Sequence, residues 1–327
     1  IDGDNHGGII IVPDAAEKAG NRPARALDCI VMSVRGISRL LRLPLFITAV
    51  ADALAGYLVA ILPRGRPIVW EHVVLVAGAS TGLYLYGLVQ NDLVDLKRDR
   101  LMGTGRPLAT GAVGVATAIV LLVLAGAMAA GCAWQLGRAE RGGATVIAIG
   151  AFAAINLYNL AAKHGPSFVA MTVMGLCRFL DFFSGVAAAV GVPHDLTPDL
   201  VALSGPLWVR HGIAIFFATC VVTGYSIGVR RGLTMSSRPW MVTFFVGAVV
   251  GFGMIAVAVT TSIEGFHAPV ARVFALLLLT ALWPGGLWSA AGPERTPQEY
   301  NLFIPRMLYW LMLLDAAFVA DQWLMTL

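Results

Sequence analysis

Long apolar runs separated by short polar connections set the pattern of this chain. Runs of the roughly 17–25 residues that cross a bilayer recur near 43–62, 69–91, 112–136, 144–163, 167–191, 209–229, 240–262, 270–290 and 303–325. Each run is continuous. A membrane barrel would instead alternate lipid-facing and lumen-facing positions, so helices are expected. The pattern therefore predicts an all-α integral membrane protein of about nine transmembrane helices around a central cavity. Gly and Ala recur inside the runs, as in GAVGVATA, GAMAAG and GAVVGFG. Such small residues let helices approach closely in lipid.

Composition agrees. The chain is 58% hydrophobic and 13% charged, about half the charged share usual for a soluble domain. Cys29, Cys132, Cys177 and Cys220 are far apart in sequence, without metal spacing, and are read as small packing residues. The net charge of +4 does not call for nucleic acid, because basic residues in a membrane protein mostly record topology. Residues 1–35 are polar and irregular, and are expected to form a mobile cytoplasmic tail ahead of one transmembrane domain, 36–327. Arg39 and Arg42 make a basic cuff before the first span. With the N-terminus inside, most of the 23 Lys and Arg residues fall on the cytoplasmic side, among them Lys97, Arg98, Arg100, Arg106, Lys163, Arg230 and Arg231. The opposite side holds Arg64, Arg66, Arg138, Arg141, Arg210 and Arg272. This asymmetry predicts a cytoplasmic N-terminus and, for an odd number of spans, an external C-terminus.

The second run ends in NDLVDLKRDR, Asn91 to Arg100, followed by LMGTGRPLATG. Asn91, Asp92, Asp95 and Asp99 all carry oxygens able to hold a hard cation. If the helix continues, Asn91, Asp95 and Asp99 stand at i, i+4 and i+8 on one face. Oxygen ligands on one stripe with positions left open suit Mg²⁺, which completes its shell with water and substrate phosphates. Lys97, Arg98, Arg100 and Arg106 are near enough in sequence to meet phosphate charge. A solvated charged turn between two spans is the other reading of the same residues.

NDLVDLKRD followed by RPLATG resembles the first Asp-rich motif, NDxxDxxxD then RPL, of the UbiA superfamily of intramembrane prenyltransferases. Further along, Tyr158 and Lys163 lie in YNLAAK, where the superfamily has a Tyr and a Lys that grip the diphosphate. An aromatic-belt Tyr with a snorkelling Lys would look the same. Arg178 and Asp181 then fall inside the fifth span, in MGLCRFLDFFSG. This pattern resembles the EboC-like branch, where an Asn commonly stands at the position of Asp181. Typical members carry a second acidic motif, DxxxD, after the sixth span. TGYSIGVRRGLTMSSRP has no acid and presents Arg230 and Arg231 instead.

The resemblance implies transfer of a prenyl group from an isoprenyl diphosphate to a lipophilic acceptor, with Mg²⁺ as cofactor and membrane lipid as surroundings. It implies a bacterial inner or cell membrane, Asp92, Asp95 and Lys163 as the catalytic set, and Asn91, Asp95 and Asp99 as metal ligands. Substrate binding then falls to Arg42, Arg106, Tyr158, Lys163, Arg178, Asp181 and Arg230. A terpene cyclase of the same type, or a non-catalytic lipid-binding or transport component, are the alternatives. Ionisable groups inside spans normally face a bundle interior or wet cavity. Arg178 and Asp181, three residues apart, are expected to pair with each other. Asp52 and Asp315 are expected to be hydrogen-bonded between helices.

Overall fold

The computed structural model describes residues 36–62, 65–139, 143–190, 205–230 and parts of 308–320. All regular structure among them is helical. A short helical segment over 36–41 leads into α1 (Leu43–Ile61). Then follow α2 (Trp70–Leu101), α3 (Val115–Ala139), α4 (Gly143–Leu160), a 3-10 turn (Ala162–His164), α5 (Ser167–Val190) and α6 (Gly205–Arg230). Helical residues between 308 and 320 form a last segment packed on α1 and α6.

Local sequence explains the element ends. Extended backbone at Val69 opens α2, Glu71 sits in its first turn, and Arg98 and Arg100 in its last. Charges so placed complement the helix dipole. Gly103 and Gly105 then adopt positive φ, 59° and 67°, a region open to glycine and costly for other residues. These two residues stop the helix and fold the chain back, returning Arg106 towards the end it has just left. At 32 residues, α2 is about 48 Å long, against about 30 Å of hydrocarbon. Its last turns therefore stand clear of the apolar layer. The helix expected to leave the bilayer near residue 91 runs on unbroken through the acidic motif.

α5 is the central element, with α1, α4 and α6 packed around it, while α2 packs on α3 and α1. α1 and α5 cross at Gly56 and Gly185. A Cβ on Gly185 would overlap the Ala53 carbonyl, and one on Gly56 the Phe182 carbonyl. The core beside this crossing includes Ala53, Tyr57, Phe182, Val186, Ile215 and Leu311. A separate cluster joins Leu40, Val89, Leu108, Val113 and Ala118, and seats the Arg-Pro-Leu turn under the acidic end of α2. On the outside, Val74, Val123, Leu124, Trp134, Ile149 and Phe168 are exposed, an outward apolar face that lipid would cover.

α2, α3, 143–164 and α5 are each long and apolar enough to cross a membrane, and Leu45–Ile61 and His211–Gly224 are shorter apolar stretches. With this outer face they make the protein an integral membrane bundle. Five of the first six expected spans match these helices to within several residues, and the second, expected to end at 91, continues to Leu101. The expected spans 240–262 and 270–290, most of 303–325 and the tail 1–35 lie outside the described residues.

Candidate functional site

The last three turns of α2 bring Asn91, Asp92, Asp95 and Asp99 together at one end of the bundle. Asp92, Asp95 and Asp99 are only 2%, 2% and 3% exposed, while Asn91 is half-buried. Carboxylates this deep need counter-charge close by. Arg106 supplies most of it from the returning turn. Its Nη1 donates to Asp92 Oδ1 at 3.1 Å and Asp99 Oδ2 at 2.9 Å, and lies 3.7 Å from Asp95 Oδ2. Lys163, on the 3-10 turn after α4, donates to Asn91 Oδ1 at 3.0 Å and lies 3.0 Å from Asp95 Oδ1. Arg98 reaches back one turn to Asp95 Oδ2, at 3.0 Å. Arg42 meets Asp92 Oδ1 at 3.5 Å from the junction before α1.

The expected stripe of Asn91, Asp95 and Asp99 is thus present on one helix, with Asp92 turned to the same interior. Among the described residues, no three His, Cys, Asp or Glu side chains surround a common point as ion ligands do. The acid oxygens instead face Arg106, Lys163 and Arg98. The donor set nevertheless fits a hard dication, being carboxylate and amide oxygens only. Asp95 Oδ2 is buried and, although close to Arg98, accepts no hydrogen bond.

Other expected site residues are placed differently. Tyr158 is buried in a mainly apolar cluster with Ala162, Ala170 and Met171, one turn before Lys163. Arg230 closes α6, and its side chain lies outside the described residues. The expected Arg178–Asp181 pair does not form. Arg178 reaches across to α1, where Nη1 pairs with Asp52 Oδ2 at 2.6 Å and Nη2 donates to Thr48 Oγ1 at 2.7 Å. The shorter Asp181 side chain instead accepts from Ser80 Oγ of α2 at 2.9 Å. A shared helical face permits a pair, but each side chain has a better-placed partner on a neighbouring helix. Asp315 is buried beside Asp52.

A second network was not anticipated. Gln90 Nε2 donates to Asn156 Oδ1 at 2.6 Å, and Asn159 Nδ2 donates to Gln90 Oε1 at 2.8 Å and to the Gly87 carbonyl at 2.9 Å. It fixes the end of α4, and so the turn carrying Lys163, against α2. Its sequence signal was NLYNL, two amides three residues apart in an apolar run.

No protein-family model matches the sequence, and no curated protein matches it. Solved structures do. A UbiA homolog from Archaeoglobus fulgidus bound to GPP and Mg²⁺ aligns over 89% of this chain and 99% of its own, with a TM-score of 0.60 at 17% identity. The fold is UbiA-like. An apo UbiA homolog from Aeropyrum pernix K1 has a TM-score of 0.56 at 21% identity, over 82% of this chain and 98% of its own. The digeranylgeranylglyceryl phosphate synthase structure gives 0.56 at 16%, over 89% and 99%. At these identities it is the UbiA-like fold that is shared.

Proposed function

We propose that the protein is a membrane prenyltransferase of the UbiA superfamily, in its EboC-like branch, which moves a prenyl group from an isoprenyl diphosphate to a lipophilic acceptor. The observation carrying this reading is the meeting of three buried carboxylates and Asn91 with Arg106, Lys163, Arg98 and Arg42 at one end of an apolar bundle. Acidic oxygens suited to a metal, ringed by cations suited to phosphate, are what a metal-diphosphate needs. The A. fulgidus homolog with GPP and Mg²⁺ supports the substrate class.

Asn91, Asp95 and Asp99 would hold Mg²⁺, with Asp92 and Asp95 central to catalysis. When bound, Mg²⁺ supplies Lewis-acid polarisation of the leaving diphosphate. Arg106, Lys163 and Arg42 bind diphosphate oxygens and neutralise the charge that grows as the allylic carbon–oxygen bond breaks. The family resemblance adds Tyr158 and Arg230 as further candidates for substrate binding. The prenyl tail lies in the apolar interior, where water is kept from the allylic cation until the acceptor attacks. The basic-residue asymmetry supports a cytoplasmic position for the N-terminal tail 1–35 and for this site, where soluble diphosphates are found, and the membrane in this reading is a bacterial one.

The acid-free stretch from Tyr225 to Pro239 favours, as a second reading, a lipid-binding component without catalysis. A cyclase would release a rearranged product from prenyl diphosphate alone. The deciding experiment is Asp95→Asn in purified protein. It should abolish Mg²⁺-dependent binding of geranyl diphosphate while leaving the protein folded in detergent. Undiminished binding would remove the main support for the transferase.

A further inference from the structure

We infer that Asn159 is a positioning residue for the diphosphate grip, which holds the Lys163 turn in register with the acidic stripe of α2. This rests on the diphosphate reading above. Lys163 does not stand on a regular helix. α4 ends at Leu160, Ala161 leaves helical backbone with φ −131° and ψ −59°, and Lys163 follows in the short 3-10 turn. Yet its side chain is only 4% exposed, and its ammonium lies 3.0 Å from both Asn91 Oδ1 and Asp95 Oδ1. A lysine carries a point charge on a flexible stem and lacks the directional fork of arginine. Its aim is therefore set by where its backbone is anchored.

Two anchors hold that turn. On the α5 side the anchor is apolar, with Ala162 buried among Tyr158, Ala170 and Met171. On the α2 side it is polar. Asn159 is buried, and its Nδ2 donates to Gln90 Oε1 at 2.8 Å and to the Gly87 carbonyl at 2.9 Å. Gln90 directly precedes Asn91, and Asn159 stands one helical turn before Lys163. The two contacts thus tie the start of the stripe to the end of α4. The Gln90 amide is itself oriented, because its Nε2 donates to Asn156 Oδ1 at 2.6 Å, and that oxygen also accepts from the Tyr86 hydroxyl at 3.2 Å. Asn156 Nδ2 donates in turn to the Phe152 carbonyl at 2.8 Å. Each amide has one orientation that satisfies both its donor and its acceptor side, and a satisfied buried network of this kind rigidifies what it joins. The Asn159 hydrogen bonds go to Gln90 and Gly87 rather than to the acids, so its influence on the head group runs through Lys163.

The test uses the full chain in nanodiscs and two readouts. The first needs no ligand: the rate at which an isotope-coded acylating reagent modifies the Lys163 amine, read by mass spectrometry. Asn159→Ala should speed this about tenfold, because the turn opens more often. The second is affinity for geranyl diphosphate with Mg²⁺. Lys163→Met should weaken it about a hundredfold and Asn159→Ala about tenfold, as a charge-assisted contact is lost or loosened. The double variant should bind no more weakly than Lys163→Met alone, since Asn159 acts only through the lysine. Gln90→Met, which removes the acceptor of Asn159, is read in the same way if Asn159→Ala does not fold. A folded variant in which Lys163 stays as protected as in the parent overturns the positioning role. So do losses of affinity that multiply in the double variant, the result expected of a residue that merely stabilises the bundle. Failure of the parent protein to bind geranyl diphosphate, by contrast, rejects the diphosphate reading itself, and the role of Asn159 in it.

Discussion

Arg106→Ala isolates the electrostatics of the site. Arg106 makes two charge-assisted contacts, at 3.1 and 2.9 Å, to carboxylates that are almost fully buried. Breaking a buried pair by removing one partner costs about 3–5 kcal/mol. Here the loss is smaller for two reasons. The Arg106 side chain is 24% exposed, so water screens part of the interaction. Arg42 also remains 3.5 Å from Asp92 and Arg98 4.0 Å from Asp99, with Lys163 and Arg98 still on the neighbouring Asp95. About 2 kcal/mol is the expected cost, at the level of one or two charge-assisted hydrogen bonds. For a chain of 327 residues that corresponds to a fall in melting temperature of about 3 °C, measured in detergent without divalent metal. Adding Mg²⁺ provides the sharper test. On the proposed reading, Mg²⁺ competes with Arg106 for Asp99 in the parent protein, and the variant lacks that competitor. A ligand at free concentration L stabilises by RT ln(1 + L/Kd), about 2.7 kcal/mol at a hundredfold excess over Kd. The variant should therefore gain more from Mg²⁺ than the parent, narrowing the gap between them. An equal gain in both proteins, or no initial destabilisation, would refute the counter-charge role of Arg106.

Three further outcomes are expected. Arg178→Met alone should destabilise the bundle by about 3–5 kcal/mol, and combining it with Asp52→Leu should recover much of that loss in a double-mutant cycle; strictly additive losses would mean the pair is not coupled. Gly185→Ala puts a Cβ 2.7 Å from the Tyr57 nitrogen and into the Ala53 carbonyl, so overpacking should cost about 2–3 kcal/mol, read from thermal or denaturant unfolding. A cysteine at Thr104, in an otherwise cysteine-free protein, should be shielded from an impermeant thiol reagent added outside intact cells; labelling there would reverse the proposed orientation.

The membrane class and the acidic end of α2 were legible in the sequence because their signals are local. Apolar run length gives the spans, and the spacing of Asn91, Asp95 and Asp99 gives one helix face. The return of Arg106 could also be suspected from the glycines that precede it. Contacts between helices were not legible. Arg178 and Asp181 offered each other as partners at a spacing of three, yet Thr48, Asp52 and Ser80, distant in sequence, took them instead. Nothing in the sequence near Ser80 sets it apart from other small polar residues in spans. The amide network of Gln90, Asn156 and Asn159 was hidden for the same reason, since it exists only once α2 and α4 are packed.

Arg42 joins the 36–41 segment to α1 with φ 43° and ψ 47°, left-handed backbone adopted by a residue other than glycine. That conformation costs an ordinary residue about 1–2 kcal/mol, and glycine would occupy it without penalty. Yet from this junction the side chain reaches Asp92. At position 42, selection for a durable bundle and selection for a charged rim pull in opposite directions. A directed-evolution campaign scored on heat tolerance alone would drift towards glycine here and strip a cation from the rim, so stabilised variants of this protein should be chosen with position 42 held fixed.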